Sequence, residues 1–323
     1  MSKGVHIRAD YYRLLVFLFA TSYGATLSRI PTEQFKDFAN YLVYAEYSLP
    51  RFLNFLDGSI LELLANEPVW LLINAVLSTF LPAEAVVRVI IFASATYVAW
   101  RILNSYPRHF LWLLMFLLLP WVVKNHLIHL RQGVAIALFL WGWFSPNRSM
   151  RWLLMGLAPF VHASFFFVLA LLWIAKGMRY LSLGPEIRTI GFVVMGVSVG
   201  LGLAWLAALL GARQAEEYDF AMAQVSGLGF VLWLGILGLW FLEGRDFLKE
   251  YVFESGMIVF YLSTYWLIEV TARIFESGML PVLLAGLTLT AWRRFVFLTV
   301  IVISGGTTWL LRIGQPAMGF GTG

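Results

Sequence analysis

The sequence predicts an all-α polytopic integral membrane protein. Three observations predict it. The 323 residues are 60% hydrophobic and 13% charged. The mean hydropathy is +0.79. The apolar residues stand in long runs separated by short basic loops. A soluble domain rarely reaches that apolarity, whereas bilayer-spanning helices need it. The formal net charge of +5 comes from basic residues scattered through short loops, which suits anionic lipid and not nucleic acid. The chain has no cysteine, so disulfides and thiolate metal sites are excluded. Its 14 Trp and 13 Tyr suit interfacial belts.

Taken in order, the basic start MSKGVHIRADYYR leads into a first span at about 11–27, read as uncleaved because no small-residue cleavage site follows. The polar segment 28–67 is rich in acid and is placed outside, with the N-terminus in the cytoplasm. Glu33, Asp37, Tyr41 and Tyr44 recur there at helical spacing, predicting one face of a short surface helix. Asn66-Glu67-Pro68 reads as a helix start, with Asn66 as cap and proline in the first turn. Apolar runs follow at 68–81, 83–100 and 108–123. Next comes Trp121–Phe144, polar in its first half and apolar in its second. Ser145-Pro146-Asn147-Arg148 is a turn. Further runs cover 151–175 (with Pro159 and His162), 188–211, 225–242, 252–273, 278–290 and 295–311. About 10–12 transmembrane or partial helices result, in one membrane domain over residues 1–323.

Strict alternation of these runs inverts the positive-inside bias in mid-chain. A re-entrant or interfacial 68–81, with 151–175 split into two helices meeting near His162, restores it. Arg101, Arg108, Arg148, Arg151, Lys176, Arg179, Arg293 and Arg294 then face the cytoplasm. Asp37, Glu67, Arg131, His162 and Arg273 lie toward the outside.

Ionisable groups inside a membrane protein are costly, so clusters of them are functional candidates. Read as one helix, 121–144 puts Asn125, His129 and Gln132 on one face and Lys124 and Arg131 on another. The structural alternative is an interfacial loop whose Lys124 and Arg131 snorkel to lipid phosphates. In 252–276, Glu254, Tyr261, Tyr265, Glu269, Arg273 and Glu276 fall on one stripe, with Glu269 and Arg273 available as a self-neutralising pair. His162 has a backbone carbonyl freed by Pro159 to bind, which alone would explain it. Asp37 and Glu67 also read as solvated loop carboxylates. No metal cluster stands out, and Lys124 and Arg131 would repel a cation near His126 and His129.

Arg131-Gln132-Gly133-Val134-Ala135, opening a membrane helix, resembles the Arg-Gln-x-x-Ala signature of the EpsG-type exopolysaccharide polymerases, relatives of the Wzy O-antigen polymerases. Asp37-x-x-x-Tyr41, Glu67-Pro68 with Asn74 and Ser78, His162 with Ser164, and Arg273 extend the likeness in order along most of the chain. Where the family often carries asparagine three residues before the arginine, this chain has Ile128, and the likeness passes that contact to Asn125 or His129.

The resemblance implies a GT-C-like architecture in the bacterial inner membrane, with the active site toward the periplasm. It implies a metal-independent glycosyltransferase, without cofactor, that joins undecaprenyl-diphosphate-linked oligosaccharide units and releases the lipid diphosphate. Arg131, Arg273 and Gln132 would hold the diphosphate. His162, Asp37 and Glu67 are the candidate acid–base groups, and Asn125, His129, Tyr41, Tyr265 and Glu269 support them. Membrane lipids, a chain-length regulator and a flippase of the same pathway are the implied partners. A glycan ligase of the same chemistry, or a precursor transporter, is the rival reading.

Overall fold

In a bilayer core every backbone N–H and C=O needs a partner within the protein, so apolar runs of this length become helices. The computed structural model describes residues 3–31, 33–35, 37–209, 226–268 and 270–315, and among them there is no β-strand. In chain order the helices are α1 (Lys3–Arg29), α2 (Phe38–Gly58), α3 (Ile60–Ala65), α4 (Pro68–Ser78), α5 (Ala83–Ser105), α6 (Phe110–Leu117), α7 (Pro120–Leu127) and α8 (Leu130–Trp143). They continue as α9 (Arg148–Leu157), α10 (Ser164–Tyr180), α11 (Pro185–Leu209), α12 (Leu228–Glu243), α13 (Arg245–Glu250), α14 (Val252–Thr264), α15 (Thr271–Gly286) and α16 (Ala291–Arg312).

Among the described residues three helices are long and apolar enough to cross a membrane: α5, the Pro185–Gly202 part of α11, and α16. Pro107–Leu117 and α7, bent by 67° at their junction, make a fourth if counted as one span. α4, α12 and α14 are apolar but shorter. Among the described residues the fold is therefore all-helical, with helices long and apolar enough to cross a membrane. Most of the apolar runs in the sequence form shorter helices separated by breaks.

Three of those breaks differ from the sequence expectation. The stretch 121–144 is not one helix. α7 stops at Leu127 and α8 starts at Leu130, with His129 at ψ 64. The face that grouped Asn125 with His129 and Gln132 therefore does not exist as drawn. Likewise the stripe over 252–276 is divided between α14 and α15, so Glu254 and Tyr261 stand on one helix and Arg273 and Glu276 on the next. Glu269 lies outside the described residues, as does the whole stretch 210–225 between the runs 188–211 and 225–242. At the start of α4, Asn66 is not the cap. It ends α3 instead, its side chain donating to Glu62 O at 2.8 Å, and Glu67 takes the N-cap position. The split of 151–175 falls as expected: Asn147 caps α9 by accepting from Met150 N at 3.1 Å, Pro159 sits in a 3-10 turn, and α10 begins at Ser164.

The chain forms two compact units. The first comprises the chain up to Asp57, Glu67–His162 and the part from Ser304 onward. In it α1 packs along α5, and α8 packs against α5 and α9. Tyr12 and Tyr23 each donate to a backbone carbonyl, Leu103 O at 2.6 Å and Leu117 O at 2.8 Å. The second comprises Gly58–Asn66 and Ala163–Ile303. Its centre is α14, covered by α10, α11, α12 and α15. There the buried ring of Phe192 lies where a Cβ on Gly256 would stand, so only glycine lets α11 approach α14 this closely.

Candidate functional site

The polar candidates of the first unit gather at the starts of α4 and α8 and at His162, the last residue of that unit before the chain passes to the second. α4 begins at Pro68, and the residue before it, Glu67, has φ 57 and ψ 56. That left-handed conformation costs an L-residue about 1–2 kcal/mol. It persists because the side chain is held: Glu67 is 3% exposed. Its Oε2 accepts from Nη1 of Arg131, in the first turn of α8. Its Oε1 lies 3.2 Å from Nδ1 of His162, in the break before α10.

Burial raises the carboxyl of Glu67, and the charge of Arg131 with the His162 contact more than reverses this, holding it well below the usual carboxylate range. Glu67 lies in the connection between α3 and α4, outside the spanning helices. It is thus ionised and accepts only, so Nδ1 of His162 carries the proton of that hydrogen bond. The other ring nitrogen, Nε2, is buried without a hydrogen-bond partner. The buried carboxylate also neutralises Arg131. Glu67 is therefore not the solvated loop carboxylate of the alternative reading, and Arg131 is not an isolated cation.

An aromatic wall supports the cluster. The Arg131 guanidinium lies 5.7 Å from the Tyr44 ring centroid. Trp70, one turn into α4, meets Tyr41 and Tyr44 edge-on at 5.9 and 6.0 Å. Tyr41 holds the α7–α8 break itself. Its hydroxyl donates to Ile128 O at 2.9 Å and accepts from Leu130 N at 3.0 Å. Tyr41 and Tyr44 are both buried, so they do not form the exposed face expected with Glu33 and Asp37. Glu33 precedes α2 and faces Arg88 at 3.5 Å. Asp37 lies 3.7 Å from Nδ1 of His129.

Behind the cluster α7 and α8 approach so closely that a Cβ on Gly133 would stand 2.4 Å from Asn125 O. Gln132 and Asn125 are both buried there. His126 sits with Nδ1 3.3 Å from Ser94 Oγ, and its Nε2 is buried without a partner.

Of the sequence candidates, then, the structure brings together Glu67, Arg131, His162 and Tyr41, with Asp37 against His129. Arg273 and Tyr265 belong to the second unit. Arg273 is exposed in the first turn of α15, and Tyr265 is buried beside Phe230, Tyr261 and Trp266. The sequence reading missed Trp70, although it follows Glu67 at i+3 on a helix that was correctly started at Pro68. The spacing was the available signal. Comparison with protein-family models, with curated proteins and with solved structures gives no match.

Proposed function

We propose that this chain is a membrane glycosyltransferase of GT-C-like architecture. In this reading it joins undecaprenyl-diphosphate-linked oligosaccharide units at the outer face of the bacterial inner membrane and so lengthens a polysaccharide. The observation that carries the reading is the buried Glu67–Arg131–His162 cluster. It unites, from far apart in the chain, three residues of the polymerase-like pattern, and it leaves one imidazole nitrogen without a partner.

The reaction needs a base for a hydroxyl proton and a cation for a diphosphate. The oxygen of the acceptor's terminal hydroxyl bonds to the anomeric carbon of the donor unit. The bond from that carbon to the diphosphate oxygen breaks, and its electron pair leaves with the lipid diphosphate. The hydroxyl proton passes to Nε2 of His162. Glu67 fixes the tautomer that leaves Nε2 basic and stabilises the imidazolium that forms, so it is a positioning residue. Arg131 offers the remaining N–H groups of its fork to the diphosphate as charge develops.

The test is Arg131→Ala in the source cell. Removing one such donor costs about 10²–10³ in rate. Long polymer should disappear while single repeat units accumulate on the lipid carrier. Unchanged polymer length would overturn the reading, and polymer left uncapped on its carrier would point to a ligase instead.

A further inference from the structure

The second unit contains a guanidinium that the protein itself does not satisfy. Arg188, in the first turn of α11, is 6% exposed, and its Nε and Nη1 are buried without a hydrogen-bond partner. A buried unpaired guanidinium is expensive, because the charge has lost water and gained no acceptor.

The surroundings add positive charge. Arg179, exposed at the end of α10, bears on Arg188 as a like charge. It is held over the end of α13, its Nη2 donating to Lys249 O at 3.0 Å and Glu250 O at 2.5 Å. Two acids, one on α11 and one on α13, are paired with other cations. Glu186 pairs with Arg245 at 3.0 Å, and Asp246 pairs with Lys249 at 2.9 Å. The counter-charge that buried Glu254 feels is Arg179. Arg188 stands at the end of a helix long and apolar enough to cross a membrane, the depth at which lipid phosphates lie.

We propose that Arg188, together with Arg179, is a binding site for a phosphate group. The planar fork of arginine matches phosphate oxygens, and a phosphate on its Nε–Nη2 or Nη1–Nη2 edge would satisfy one of the two buried nitrogens while bringing negative charge to Arg188 and Arg179. Basic pockets between membrane helices take lipid head groups in this way. The site is independent of the Glu67–Arg131–His162 cluster and does not rest on the reaction proposed there.

The full chain, purified in a phosphate-free maltoside detergent and buffer, is titrated with phosphatidylglycerol in one arm and with inorganic phosphate in the other, and thermal unfolding is followed. Phosphatidylglycerol should raise the unfolding temperature. A matching rise with inorganic phosphate identifies the phosphate alone as the ligand. A rise with the lipid only identifies a head group. In Arg188→Gln either response should weaken about tenfold or more. No response from the wild-type chain, or an equal response from Arg188→Gln, overturns the proposal. If Arg188→Gln does not fold, hydrogen exchange on the wild-type chain decides. The effective probe should slow exchange across 177–189 and 245–251, and protection elsewhere or nowhere overturns the site.

Discussion

Glu67 combines a left-handed backbone, a buried carboxylate and contacts to nitrogens of Arg131 and His162. Its folded carboxyl titrates at about 2, against an ordinary value of 4.5. Because the folded value is depressed, the ion pair's contribution to stability is fully present above pH 4.5 and is lost as the pH falls toward about 2. Glu67→Gln should flatten this part of the pH profile of thermal unfolding. Near neutral pH it should destabilise the chain by about 3–5 kcal/mol, since Arg131 is left without its counter-charge. An unchanged profile would mean that the pair carries no such weight. Arg131 was legible in the sequence, because a charge opening an apolar run is conspicuous. Its partner was not: 64 positions separate the two, and no local spacing links them.

At the scale of elements, the breaks place the site. The break near His162 was legible because Pro159 removes a backbone donor and cannot continue the helix of Arg151. The break at Ile128–His129 was not. Neither proline nor glycine lies in it, and the local sequence is compatible with a continuous helix. It is held by Tyr41, whose hydroxyl satisfies Ile128 O and Leu130 N from 87 and 89 positions away. Tyr41→Phe leaves both buried backbone groups unpaired. It should cost about 1–3 kcal/mol in a detergent denaturation series. A variant as stable as the wild type would show that the break is maintained by other contacts.

For the whole molecule, the dominant property is an apolar exterior on long helices. On α11 Val194 is 58% exposed. At the centre of a spanning helix, Asp in its place should cost about 2.5–3.5 kcal/mol of insertion. Val194→Asp should therefore reduce the fraction of chain recovered in carbonate-washed membranes. Full recovery would argue that this face of α11 does not meet lipid. Composition alone made this level legible, since backbone satisfaction in lipid forces helices whatever the side chains are. It made the number of full-length spans less legible. Among the described residues the apolar runs became three helices long and apolar enough to cross a membrane and several shorter ones.

By itself the sequence determined the helical membrane class, the helix start at Pro68, the break near His162, and the short list of ionisable residues whose burial would need a reason. These follow from local terms: hydropathy, proline geometry and residue type. Only the tertiary structure decided that Glu67, Arg131 and His162 form one neutralised cluster, that Tyr41 and Tyr44 are buried behind it, and that Arg188 is left unsatisfied. Those outcomes depend on which charges meet after folding. The partners lie tens of residues apart, where periodicity carries no information and only packing brings them within hydrogen-bond distance.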